Sequence, residues 1–184
     1  DQGAWMLHLE FRGTLNDRMR GFYRSTYTDD EGVQHAIATT QFESTDARRA
    51  FPCWDEPDLK AVFGVTLVVP EGLLAISNEV ETEREPLGDG RVRVRFADTM
   101  PMSTYLAAFV VGPLEATEPV DVDGVPLRLV HVPGKGDLTA FALSRRGRAL
   151  DRVRCRLRLV HMLGVHLLRD ERRRLRGDGR QKAR

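Results

Sequence analysis

Near the start of the chain apolar and polar residues alternate, with Trp5, Leu7, Leu9 and Phe11 separated by Met6, His8 and Glu10. That period of two predicts a strand with one buried face. Gly21 to Asp29 is aromatic and hydroxyl-rich, Asp29-Asp30-Glu31-Gly32 supplies turn residues, and Val33 to Phe42 follows, so a hairpin is predicted. Ser44 or Thr45 stands where a side chain caps a short helical turn over Asp46 to Ala50, which Pro52 would stop. The apolar runs Val62 to Val69, ended by Pro70, and Leu73 to Ser77 read as strands. After Gly88-Asp89-Gly90, the segment Arg91-Val92-Arg93-Val94-Arg95-Phe96 alternates strictly, which sends Val92, Val94 and Phe96 inward and three arginines into solvent. Tyr105 to Val111 is continuously apolar, the pattern of a strand covered on both faces. Asp123-Gly124 then turns the chain into Val125 to Val132. Many short strands divided by turn residues predict an all-β fold, an antiparallel sandwich or saddle.

The pattern changes after Asp137. Leu150, Val153, Leu157, Val160, Leu163 and Leu167 recur at steps of three and four, which fits one stripe of an amphipathic helix. Charge divides at the same place. Residues 1–144 carry 13 basic against 23 acidic residues, whereas residues 145–184 carry 15 against 4. The two parts therefore need separate readings, as a β domain over 1–144 and an Arg-rich tail over 145–184. Of the tail's 15 basic residues 14 are arginine, and they alternate through Arg152, Arg154, Arg156 and Arg158 instead of clustering on one face. Arginine-heavy, lysine-poor text is what a GC-rich gene gives when read out of frame, so the expectation is a frame shift near Ser144. The other two frames would test it by restoring a continuous domain.

Length and composition set bounds. A chain of 184 residues is long enough for one well-buried core, and no apolar run approaches the length of a bilayer span, so no membrane partner is expected. It opens at Asp1 with no initiator Met and no leader pattern, which reads as soluble and N-terminally incomplete. Two cysteines, Cys53 and Cys155, are too few for a disulfide scaffold and favour a reducing, cytoplasmic setting. Cys53 reads as a small buried side chain. The arginines of 91–95 sit among acids and read as a solvated strand face, so no specific nucleic acid is expected as a partner.

The candidate chemistry lies between residues 40 and 57. Thr40-Gln41-Phe42-Glu43 and Ala47-Arg48-Arg49-Ala50-Phe51-Pro52-Cys53-Trp54-Asp55-Glu56-Pro57, followed later by Met100-Pro101-Met102-Ser103-Thr104-Tyr105-Leu106, closely resemble the N-terminal domain of the zinc aminopeptidases of the aminopeptidase N family. The likeness runs from about Trp5 to Leu143. It covers one domain of a family whose members are several times longer, and the catalytic domain is missing.

The resemblance implies a β-rich domain and assigns Gln41 and Glu43 to substrate binding. An aminopeptidase must hold the free α-ammonium of its substrate, and Glu43 would supply a carboxylate and Gln41 an amide oxygen. Two apart on a strand-like segment, they would share a side, with Phe42 turned into the core. Phe51, Pro52 and Trp54 would pack, while Arg48, Asp55 and Glu56 would fix the turn through charged hydrogen bonds. No catalytic residue is expected in this chain. The family's zinc sits on His-Glu-x-x-His, which no pair among His8, His35, His131, His161 and His166 provides, so zinc belongs to the full-length member and none is expected to bind here. The partners implied are peptide N-termini and the missing catalytic domain, and the fragment alone would be inactive. The other reading is a stand-alone β-sandwich interaction module whose basic tail recruits nucleic acid or membrane.

Overall fold

The computed structural model describes residues 3–122 and 125–139, which fall in two compact units, one ending at Leu114 and the other beginning at Glu115. In the first unit, β1 (Gly21–Thr28) and β2 (Gln34–Gln41) form the predicted hairpin, in register from Gly21 opposite Gln41 to Thr28 opposite Gln34. Asp29 closes the turn. Its Oδ1 accepts from the amides of Glu31 at 3.0 Å and Val33 at 2.8 Å, and its Oδ2 lies 2.7 Å from Nε2 of His35, whose ring stacks on Tyr27. These bonds, the one to His35 foremost, hold the Asp29 carboxyl below its ordinary pKa.

The strands that follow are β3 (Lys60–Ala61), β4 (Thr66–Pro70), β5 (Leu74–Ser77), β6 (Glu81–Pro86), β7 (Arg91–Phe96), β8 (Met102–Ser103) and β9 (Phe109–Gly112). Every pairing among them is antiparallel, giving one sheet in the order β1-β2-β9-β5, a second in the order β4-β7-β6, and the short pair β3-β8. The all-β reading is correct. Strand β7 alternates as its sequence dictates: Val92, Val94 and Phe96 are buried and pack with Val69 of β4 against Ala75 of β5 and Val111 of β9. The apolar faces of the two larger sheets thus share one core. On the solvent face Arg91 pairs with Asp89 and Arg93 with Glu85, as expected of a solvated strand. A second core gathers Phe42, Ala47, Met102 and Ala107 with the rings of Phe51 and Phe109. Phe42 meets those rings edge-on, at 5.8 and 5.9 Å between centroids.

Several expectations are corrected. Trp5 to Phe11 forms no strand, and Trp5, Leu7, Leu9 and Phe11 are all exposed. Alternation fixes which side chains share a face, but a strand also needs a neighbour for its N–H and C=O groups, and among the described residues none pairs with this segment. Tyr105 to Val111 is not one strand. Thr104–Leu106 is a 3-10 turn, closed by the bond from Ala107 N to Thr104 O, and only then does β9 run between β2 and β5. Val62 to Val69 yields a strand only from Thr66. Strand β6, polar up to Pro86 and exposed throughout, was not foreseen.

In the second unit, β10 (Glu115–Ala116) pairs with β13 (Val130–His131), and β11 (Val120–Val122) pairs with β12 (Val125–Leu127). The strand predicted over Val125 to Val132 is broken at Arg128-Leu129. His131 is buried, its Nδ1 donating to the carbonyl of Val132 at 2.9 Å. The boundary at 144, the helix through Leu150 to Leu167 and the Arg-rich tail lie outside the described residues.

Candidate substrate-amine site

Gln41 is the last residue of β2 and is half-buried. Phe42, 2% exposed, drops into the aromatic core, and Glu43 opens the turn that follows with its side chain exposed. The peptide bond between Glu43 and Ser44 is cis. Among the described residues neither the Gln41 amide nor the Glu43 carboxylate has a hydrogen-bonding or ionic partner.

The turn after Glu43 is held firmly. Asp46 N donates to Phe42 O at 2.8 Å, Ala47 is wholly buried, and Ala47–Arg49 forms a 3-10 turn closed by Ala50 N on Ala47 O. The expected cap is corrected here: neither Ser44 nor Thr45 caps this turn, which begins at Asp46 with no side-chain cap bond. The acceptor comes from seven residues ahead. Oδ2 of Asp55 takes both the backbone N–H and Nε–H of Arg48, each at 3.0 Å. That bond holds the Arg48 guanidinium above its ordinary pKa. Asp55 is 3% exposed, and its Oδ1 has no partner among the described residues.

Burial alternates over residues 51–56. Phe51, Cys53 and Asp55 turn inward, while Pro52, Trp54 and Glu56 turn outward. Pro52 and Trp54 therefore do not pack in the core, and Trp54 is 72% exposed beside a shallow apolar groove shared with Leu59 and Phe63. Glu56 makes no side-chain bond to the turn, which leaves that work to Asp55. Cys53 is half-buried, and burial pushes its thiol pKa up, which favours an unreactive side chain.

The second sequence motif folds onto the first. Thr104 Oγ1 donates to the carbonyl of Trp54 at 2.7 Å, Ser103 Oγ donates to the carbonyl of Pro57, β8 pairs with β3, and Met102 joins Phe42 and Ala47 in one core. Two stretches far apart in the chain thus build one structure under the Gln41–Glu43 edge. Metal chemistry finds no donor set here: among the described residues no group of three or more His, Cys, Asp or Glu side chains is placed to hold an ion, so these residues do not fit the zinc that the family resemblance implies. No helix among them is long and apolar enough to cross a membrane.

Comparison with known proteins identifies the family. The Peptidase M1 N-terminal domain matches residues 1–106. The chain is 47% identical over 146 residues to a puromycin-sensitive aminopeptidase of Caenorhabditis elegans, covering 79% of this chain and 15% of that protein. It is 46% identical over 149 residues to aminopeptidase M1 of Arabidopsis thaliana, covering 81% and 17%. It is 45% identical over 145 residues to the alanine/arginine aminopeptidase of Saccharomyces cerevisiae, covering 78% and 17%. The chain spans about one sixth of the length of these relatives. With both motifs folded into one antiparallel β unit, the chain belongs to the M1 family of metallopeptidases, of whose N-terminal domain it is an example.

Proposed function

We propose that this chain is the substrate-amine-binding domain of a zinc aminopeptidase that removes N-terminal residues from peptides. The observation that carries the reading is the pair at the end of β2: an exposed carboxylate on Glu43 and a half-buried amide on Gln41, both without a partner among the described residues, on a segment anchored by Phe42. A peptide's α-ammonium is a compact cation with three donors, and a carboxylate with an adjacent amide oxygen offers the acceptors it needs. Gripping the ammonium sets where the first peptide bond lies, so the same grip counts off one residue.

In this reading zinc would be held in the full-length enzyme by residues outside this chain, and the chemistry it would supply there is activation of water. This chain's own residues bind and orient the substrate and carry out no catalytic step, so alone it is inactive. Peptide N-termini and the catalytic domain are its partners, and the reducing, cytoplasmic setting read from its two cysteines belongs to the same proposal.

The test is Glu43→Ala in the intact enzyme. Loss of one charged hydrogen bond removes about 2 kcal/mol, so kcat/KM for a free-amine substrate such as alanine 4-nitroanilide falls roughly thirtyfold. The unfolding midpoint stays put, because Glu43 is exposed and bonds to no described residue. Unchanged kinetics in the variant would refute the clamp.

A further inference from the structure

Gly21 opens β1 directly opposite Gln41 in the ladder. Its φ is +66°, a region that L side chains rarely enter. A Cβ built there would stand 2.9 Å from Cβ of Arg49 and 3.4 Å from the carbonyl oxygen of Asp46. The first distance is closer than real Cβ atoms approach, so the turn that follows Glu43 rests on the bare backbone of Gly21. It cannot easily retreat. Ala47 locks it to the core, Asp55 holds Arg48, and Asp46 holds Arg49 through Nε at 2.6 Å. Gln41 is tied to Gly21 by strand pairing, and the turn behind Glu43 is tied to Gly21 by contact.

We propose that Gly21 is a positioning residue for the amine clamp: the missing side chain sets the spacing between Gln41 and Glu43. The inference rests on the clamp reading above. With the turn held in place, a methyl group at position 21 pushes the end of β1, and with it Gln41, away from the turn and changes the spacing between Gln41 and Glu43, while the β4-β7-β6 core stays where it is. Other glycines with positive φ provide the contrast. Gly88, at φ 76°, has nothing within 4 Å of its would-be Cβ, so alanine there strains only its own turn.

The experiment measures KM and kcat for alanine 4-nitroanilide in the intact enzyme carrying Gly21→Ala, Gly88→Ala, Arg49→Gly, Gly21→Ala with Arg49→Gly, and Glu43→Ala. Gly21→Ala is expected to raise KM about tenfold, Gly88→Ala to leave it unchanged, and the double variant to return within about threefold of Arg49→Gly alone, since the clash is with the Arg49 Cβ. A folded Gly21→Ala enzyme with unchanged KM, or an equal rise in Gly88→Ala, overturns the proposal. If Gly21→Ala does not fold, the double variant decides against Arg49→Gly alone: equal KM supports the positioning role, and a KM about tenfold higher overturns it. An unchanged KM in Glu43→Ala overturns the clamp itself, whatever Gly21 does.

Discussion

The carboxylate of Asp55 accepts two bonds from Arg48 on one oxygen, in a place where solvent scarcely reaches. Removing it leaves the Arg48 N–H of the 3-10 turn without its acceptor. Asp55→Ala should therefore cost about 2 kcal/mol of stability, read by urea unfolding of the 184-residue chain. A change within about 0.5 kcal/mol, the range of ordinary surface substitutions, would mean that the bond holds nothing. At this scale the sequence was only partly legible. The residue types of the motif named Gln41, Glu43, Arg48 and Asp55, but propensity pointed to Ser44 or Thr45 as the cap. Capping preference describes what a neighbour in sequence can reach, and here the chain after the turn comes back to supply Asp55 as the acceptor. Trp54 lies in solvent because the burial alternates there and Phe51, Cys53 and Asp55 hold the inward positions.

Strand β7 shows how far an element can be read from its pattern, and β6 shows where reading stops. The alternation of Arg91 to Phe96 gave the correct face for all six side chains. Glu81 to Pro86 has no apolar period to read, and it is a strand because β7 offers it a ladder. The energetics follow the faces. Val94 is wholly buried between the two sheets, so Val94→Ala should cost about 2 kcal/mol through lost burial and residual cavity. Arg93→Ala, which removes an exposed pair with Glu85, should cost less than about 1 kcal/mol. Thermal unfolding of both variants checks the contrast, and equal losses would contradict the assignment of faces. The hairpin of β1 and β2 was legible for a different reason: its turn residues act locally, with Asp29 bonding amides two and four positions on.

Over the whole molecule, one feature stands apart from the cores: Trp5, Leu7, Leu9 and Phe11 expose their side chains in a row. Apolar surface of this kind drives association, so the chain should self-associate, and Leu7→Ser with Leu9→Ser should weaken that association by about tenfold or more. Sedimentation velocity would show it. The unfolding midpoint should not move, since these residues support no core, and undiminished association would assign the surface elsewhere. The sequence by itself determined the strand-rich class, the hairpin, the two faces of β7 and the family, because periodicity, turn chemistry and motif spacing act over a few residues. Only the tertiary structure decided that Asp55 caps the turn behind Glu43, that Gly21 seats it, that Ser103 and Thr104 close over Trp54 and Pro57, and that the first alternating segment pairs with nothing described. Each of those depends on which distant group arrives within bonding distance, and a local pattern carries no information about that.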